Sequence, residues 1–465
     1  MELAHLTTLD FDAAMIARHA GSGPRYTSYP TADRFKDGSV SGDYIAALKA
    51  RDAGHADAPL SLYVHIPFCD TVCYYCACNK IVTKHKFKAD AYLDDLEKEI
   101  GLIRALFHQA PVVSQLHFGG GTPTFLTNVQ MQRLLEMLHA NFQFEPDAEC
   151  SVEIDPRRLE PGVLKLMADY GFNRMSLGVQ DVDAAVQAAI NRVQPVEVTG
   201  QVLQEARELG YKSINMDLIY GLPLQSVNTM YRTLKTVLEW RPDRIALYSY
   251  AHLPERFKPQ RRIDTEAIPS PQEKLAMLKL AVTTLLEAGY VYIGMDHFAL
   301  PDDELAQALD EGSLQRNFQG YATRADCDLI ALGVSAISRI GHVYAQNART
   351  LEQYHEMLEA DELPLIRGLV ISRDDEIRRD AIHSLLCQSK LSFSEVSQRW
   401  GIDAQSYFAD DLEGLAGLQA DGLVSVDDEQ VMITPKGRFL SRVVAMRFDK
   451  YLRMGQPLAR YSKVI

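Results

Sequence analysis

Leu60-Ser61-Leu62-Tyr63-Val64-His65-Ile66-Pro67-Phe68-Cys69-Asp70-Thr71-Val72-Cys73-Tyr74-Tyr75-Cys76-Ala77-Cys78-Asn79-Lys80 decides the reading of this chain. It opens as a short apolar, β-prone run and passes, at its C-terminal end, into a loop holding four of the seven cysteines. A loop of bunched cysteines holds a metal, holds a disulfide, or holds nothing. Disulfides fit poorly in a chain that otherwise reads as a large reduced protein rather than a small stapled one. Zinc commonly takes two well-separated ligand pairs that close a tetrahedron. Bunched thiolates suit an iron–sulfur cluster better. Cys69, Cys73 and Cys76 form C-x3-C-x2-C, three thiolates for a cubane of four irons, which leaves one iron open to a non-protein ligand. An open iron is what a chemical role requires. Cys78 falls outside the spacing and is expected to be a non-ligand.

Outward from this loop the chain alternates. Runs of strand character at 60–66, 112–118, 150–154, 174–179, 213–219 and 244–250 are separated by helical stretches near 89–107, 128–141, 162–170, 183–190, 198–209 and 227–240. Another helix is expected near 271–288 and one more strand near 290–294. Such alternation means βα units and a parallel sheet. Six units without a G-x-G-x-x-G fingerprint predict a barrel, complete or partial. Polar residues recur at the C-terminal ends of the strands, where barrel active sites are built. These are the cysteine loop, Gly119-Gly120-Gly121, Glu153 and Asp155, Gln180, and Tyr248 with Tyr250, while Asp217 lies within the fifth strand. Asp217, between Met216 and Leu218, is costly to bury alone. A cofactor hydroxyl or a nearby cation is its expected partner.

The 465 residues allow one large domain with additions, or two to three domains. A net charge of −14 argues against nucleic acid and leaves small molecules and proteins as partners. No secretory signal and no apolar run near 18 residues is visible, so the protein is expected in the cytoplasm with no membrane span. Arg25-Tyr26-Thr27-Ser28-Tyr29-Pro30 looks ill-suited to a core and reads equally as a surface-packed linker or as a lid reaching a ligand. The stretch 330–338 is small and apolar, fit for close backbone approach. The division expected is 1–59 as an N-terminal segment, 60–373 as the barrel with an extension, and 374–465 as a mostly helical, winged-helix-like module.

The cysteine spacing, with an aromatic before the third cysteine, resembles the signature of radical S-adenosylmethionine enzymes. The chain as a whole resembles the oxygen-independent coproporphyrinogen III oxidases of that superfamily. The resemblance rests on Pro24–Thr31, the extra Cys78, Phe118–Thr124, Glu153–Arg157, Ser176–Asp181, Asn191–Gln194, Asn215–Pro223, Tyr292–Phe298 and Asn317–Tyr321. It implies a partial (β/α)6 TIM-like barrel of the radical SAM type, with an N-terminal lid segment and a mostly helical C-terminal domain. It also implies a [4Fe–4S] cluster on Cys69, Cys73 and Cys76, and two S-adenosylmethionine molecules. By matching position, Tyr63, Tyr75, Gly120, Glu153 and Ile337 would serve the first cofactor molecule. Gly121, Thr122, Gln180, Arg192, Asp217 and Ala251 would serve the second. The implied reaction is oxidative decarboxylation of two propionates of coproporphyrinogen III to vinyl groups, giving protoporphyrinogen IX. A 5′-deoxyadenosyl radical would start it, and a reductant such as flavodoxin or ferredoxin would supply electrons to a monomeric enzyme. Arg25 is the candidate contact for a substrate carboxylate. A haem carrier of the same superfamily, another tetrapyrrole-directed radical enzyme and a zinc scaffold are the rival readings.

Overall fold

The computed structural model describes residues 9–38, 40–55, 58–318, 320–324, 327–455, 461 and 463. Two compact units emerge. One comprises residues 35–277 and 326–370, the other residues 1–34, 278–325 and 371–465.

The first unit is built on six parallel strands: β1 (Leu60–Ile66), β2 (Val112–Gly120), β3 (Gln143–Ile154), β4 (Phe172–Gln180), β5 (Ser213–Tyr220) and β6 (Arg244–Ser249). Each pairs with its successor in parallel register. The connections carry helices, among them α1 (Lys88–Arg104), α2 (Asn128–Asn141), α3 (Val163–Asp169), α4 (Val196–Glu208) and α5 (Val227–Trp240). Parallel neighbours need such crossovers, and the helices cover the outer face of the sheet. Local chemistry starts two of them. Thr127 caps α2 with Gln130 reciprocating, and Ser226 caps α5 with Thr229. On β1 Leu62, Val64 and Ile66 are fully buried, and on β5 Met216 and Leu218 are too. Period-2 geometry then puts Asn215 and Asp217 together on the opposite face, inside the barrel.

The sheet runs on past β1, which the sequence pattern did not reveal. β7 (Asp328–Leu332) pairs parallel to β1, and β8 (Ile337–Ile340), β9 (Val343–Asn347) and β10 (Leu365–Val370) follow antiparallel. Lys36–Asp37 pairs at the far edge. These strands have four to six residues, and β7 and β9 are buried along their whole length. They therefore lack the alternation that marks a half-exposed strand.

The second unit centres on α6 (Arg373–Gln388), capped by Ser372 with Asp375 reciprocating. Lys390–Ser392, Gln430–Ile433 and Val424–Val426 form a three-stranded antiparallel sheet beside short helices. Its core includes Ile382, Leu385, Phe408 and Phe448, and also Tyr26 and Tyr29. Both tyrosines are fully buried, which corrects the expectation that this segment avoids a core. Each phenol finds a partner: Tyr26 donates to Asp449 Oδ2 at 3.0 Å, and Tyr29 accepts from the Lys450 N–H at 3.2 Å. That satisfaction is what permits burial. Arg25 beside them stays partly exposed and pairs with Asp296 at 3.2 Å.

Candidate active site

β1 ends at Ile66, and the chain turns at Pro67 into the cysteine loop. The loop is held at many points. Phe68–Cys69 pairs with Ile81–Val82, closing its base. The Tyr74 N–H donates to Ile190 O, Asn191 Nδ2 to Val72 O and Gln260 Nε2 to Tyr75 O, all within 2.8–2.9 Å. β2 supports it from below: the Gly121 and Thr122 N–H groups donate to Ile66 O and Phe68 O at 2.8 Å each. A Cβ on Gly121 would lie 2.7 Å from Phe68 O and 2.8 Å from Pro67 O. One on Gly120, whose φ is +117°, would strike the His65 ring at 2.7 Å. Both glycines let the strand end pass directly beneath the loop.

The three spaced thiols sit in unlike surroundings. Cys69 Sγ lies 3.5 Å from Thr122 Oγ1. Burial pushes its thiol up to about 11. Cys73 Sγ accepts from two guanidinium groups, Arg157 and Arg192, at 3.6 Å each. Cys76 Sγ accepts the Cys78 N–H at 3.5 Å, and hydrogen bonding to Cys78 with help from Lys80 pulls its thiol well below the ordinary value. Among the described residues no group of three His, Cys, Asp or Glu side chains is already set as a metal-ion site. A cubane asks for something different from a single ion, one thiolate on each of three irons.

Around the loop, strand ends bring carboxylates and cations together. Glu153 is about half exposed into the cavity. Its recess disfavours the charge, but His117 and the Gly120 N–H outweigh that and hold it below the ordinary carboxylate value. Asp155 also pays for burial, yet Arg192 and Arg157 bring it down to about 2. Arg157 Nη2 meets Asp155 Oδ2 at 2.7 Å, and Arg192 Nη1 meets it at 3.1 Å. Asp217 accepts from Ser176 Oγ at 2.9 Å and Asn215 Nδ2 at 2.8 Å, and burial raises it to about 6. Its hydrogen-bonding partners are neutral donors, and the nearby cation expected from the sequence is Arg192, whose charge eases that of Asp217. Gln180 follows a bulge in the β4–β5 register and has φ +68°, which re-aims its side chain at the strand end.

A cavity of about 320 Å³ gathers these groups. Cys69, Cys73, Cys76, Tyr75, Gly120, Gly121, Thr122, Glu153, Gln180, Arg192 and Asp217 all line it. Four expected site residues do not. Tyr63 donates its hydroxyl to His65 Nδ1 at 3.0 Å, while His65 Nε2 gives its proton to Asn79 O at 3.1 Å. Ala251 O accepts from Gln260 Nε2, the amide that also holds Tyr75 O. Ile337 opens β8 opposite Gln346. Arg25 belongs to the other unit, and Gln319 lies outside the described residues.

Several cavity residues were given no role by the sequence reading, namely Lys80, Arg157, Arg158 and Ser176. Arg157 had one usable signal. Asp155 caps a single helical turn with Pro156 at its first position, which fixes the residue that follows. The lining carries Lys80, Arg157, Arg158 and Arg192 against Asp70, Glu153, Asp155 and Asp217. Charge balance there, in a chain of net −14, leaves room for three thiolates and a zwitterionic ligand. Arg192 Nε is buried with no hydrogen-bond partner, a donor suited to a ligand carboxylate. The donor set therefore fits a thiolate-held cluster beside an amino-acid-bearing cofactor.

Residues 63–237 match the Radical SAM superfamily, and residues 371–440 match the HemN C-terminal domain. The oxygen-independent coproporphyrinogen III oxidase of Escherichia coli K12 is 49% identical over 98% of this chain and 99% of its own length. That of Pseudomonas aeruginosa is 49% identical over 99% of this chain and 100% of its own. The solved structure of the Escherichia coli coproporphyrinogen III oxidase HemN, described as a radical SAM enzyme, superposes with a TM-score of 0.91 over 96% of this chain and 100% of that one.

Proposed function

Since the chain belongs to the oxygen-independent coproporphyrinogen III oxidases, radical SAM enzymes of haem biosynthesis, we propose that it converts coproporphyrinogen III to protoporphyrinogen IX by oxidative decarboxylation of two propionates to vinyl groups. The observation that carries this reading is the single cavity shared by the C-x3-C-x2-C loop and by Glu153, Gln180, Arg192 and Asp217. In it Cys69, Cys73 and Cys76 hold a [4Fe–4S] cluster, with two S-adenosylmethionine molecules beside it. When bound, these groups supply an electron and a 5′-deoxyadenosyl radical able to take hydrogen from a propionate β-carbon.

The chain's own residues bind and orient. Tyr63, Tyr75, Gly120, Glu153 and Ile337 serve the first cofactor molecule. Glu153, held ionised by His117, accepts from an amino group. Gly121, Thr122, Gln180, Arg192, Asp217 and Ala251 serve the second. Arg192 offers its unpartnered Nε to a carboxylate, and Asp217 accepts from a hydroxyl. Tyr63 and Ala251 act from outside the cavity lining, through the His65 ring and through the Gln260 amide that fixes Tyr75. Arg25 meets a substrate propionate once Asp296 releases it. Residues 1–59 act as lid, 60–373 as catalytic domain and 374–465 as C-terminal module. The enzyme works as a cytoplasmic monomer fed by a flavodoxin or ferredoxin; among the described residues no helix is long and apolar enough to cross a membrane.

Cofactor stoichiometry tests this directly. Anaerobically reconstituted protein should bind two S-adenosylmethionine molecules per chain in equilibrium dialysis and change the electron paramagnetic resonance (EPR) spectrum of the reduced cluster. One molecule per chain would remove the second site, and an unchanged spectrum would detach the cofactor from the cluster.

A further inference from the structure

The three spaced cysteines are treated differently by their neighbours. Cys69 faces a hydroxyl, and Cys76 faces Cys78 and the single ammonium of Lys80, whereas Cys73 faces two guanidinium groups at 3.6 Å each. Arg192 is also tied to Gly178 O at 2.6 Å, and its role toward a cofactor belongs to the reading above. Arg157 has no such role.

The way Arg157 is held is informative. Its Nε lies 2.9 Å from Asp155 Oδ1, and its Nη2 lies 2.7 Å from Asp155 Oδ2. The Asp155 carboxylate thus takes the guanidinium fork edge-on. The same Nη2 reaches Thr71 Oγ1 at 3.2 Å and Cys73 Sγ at 3.6 Å. The Arg157 side chain is 13% exposed and that of Arg192 is 6%. Asp155 is shared by two guanidiniums, and both also reach the Cys73 sulfur, so positive charge is held facing that sulfur. A cluster on three thiolates is an anion, and it becomes more negative when it takes up an electron. Hydrogen bonds to the sulfurs and nearby positive charge favour the reduced form, and they act strongly where water is largely excluded.

We infer that Arg157, locked by Asp155, is a positioning residue for the cluster: its guanidinium fixes the Cys73 thiolate and raises the potential at which the cluster accepts its electron. The inference rests on Cys69, Cys73 and Cys76 holding that cluster. Lysine would keep the charge and lose the fork that joins Asp155, Thr71 and Cys73. Glutamine would lose the charge altogether.

The test uses full-length wild type, Arg157→Gln and Arg157→Lys, each reconstituted anaerobically with ferrous iron and sulfide. Iron and sulfide per chain are counted first. The cluster is then titrated potentiometrically, without S-adenosylmethionine, and the reduced form is read by EPR. Arg157→Gln should hold a full cluster that is harder to reduce. At the potential where half the wild-type cluster is reduced, its reduced fraction should fall several-fold, with Arg157→Lys between the two. A glutamine variant titrating with wild type, or a lysine variant displaced as far as glutamine, overturns the inference. Should Arg157→Gln hold no cluster, Arg157→Lys decides. A full cluster displaced slightly to negative potential supports the inference, and no cluster there assigns Arg157 to assembly and overturns it. Wild-type protein that takes up no iron and sulfide fails the proposed function instead.

Discussion

Gly121→Ala isolates the contact that joins β2 to the cysteine loop. The added Cβ would stand 2.7 Å from Phe68 O and 2.8 Å from the Pro67 carbonyl carbon and oxygen, all backbone atoms. Ordinary contact needs about 3.4 Å or more, so the loop carrying Cys69 must retreat by roughly 0.7 Å or the strand end must shift. Either movement strains the 2.8 Å bonds from Gly121 and Thr122 to Ile66 and Phe68. Overpacking of this kind costs about 1–3 kcal/mol. Gly119→Ala is the near control, since its Cβ would meet only the Tyr63 and Glu153 side chains, at 3.1–3.2 Å. Gly101→Ala is the distant control. It sits in α1 with nothing within 4 Å, and alanine there should stabilise by about 0.5–1 kcal/mol. Urea unfolding followed by circular dichroism ranks the variants, and iron per chain after reconstitution reports the loop. Gly121→Ala should be the least stable and should hold the least iron. A Gly121→Ala protein with wild-type midpoint and full iron would refute the argument that the loop rests on this strand end.

Asp217 gives a prediction with opposite signs for stability and function. Burial raises its carboxyl from 3.8 to about 6, so the folded state disfavours the charge. That cost is absent below about pH 4, grows as pH rises toward 6, and levels off near 3 kcal/mol above it. Asp217→Asn should therefore gain unfolding stability on wild type by about 1 kcal/mol more at pH 7 than at pH 5, while binding less S-adenosylmethionine. A gap that narrows with pH contradicts the assignment. Cys73→Ser should lose the cluster and Cys78→Ser retain it, because Cys78 lies outside the C-x3-C-x2-C spacing and its backbone N–H on Cys76 Sγ survives the substitution. Equal iron in the two variants would overturn that distinction. Arg25→Ala should weaken substrate binding and leave iron and S-adenosylmethionine binding unchanged; unaltered KM for coproporphyrinogen III would remove Arg25 from the substrate site.

The barrel was legible because its signals are local. Each strand from β1 to β6 has a helix after it, and a polar residue stands where the strand ends. Glu153 and Gln180 could be picked by that position alone and Asp217 as a carboxylate within its strand, and the cavity contains all three. What depends on long-range meeting was not legible. Asp217 relies on Ser176, 41 residues away on the neighbouring strand. Tyr26 looked like a surface residue until Asp449, 423 residues distant, gave its hydroxyl a partner inside the second unit's core. β7 and β9 went unseen because short, wholly buried strands carry no alternation, and β8 and β10, of four and six residues, show none either. Arg157 was given no role because a lone arginine in a loop is usually solvated, and only the Asp155 cap turns it toward Cys73.

The most direct measurement is anaerobic turnover. Reconstituted protein is supplied with S-adenosylmethionine, a strong reductant and coproporphyrinogen III, and the tetrapyrrole is followed by mass. Stepwise loss of two carboxyl groups as carbon dioxide, with 5′-deoxyadenosine formed alongside, is the predicted result. Cleavage of S-adenosylmethionine with the tetrapyrrole unchanged, or stable haem binding without cleavage, would contradict it.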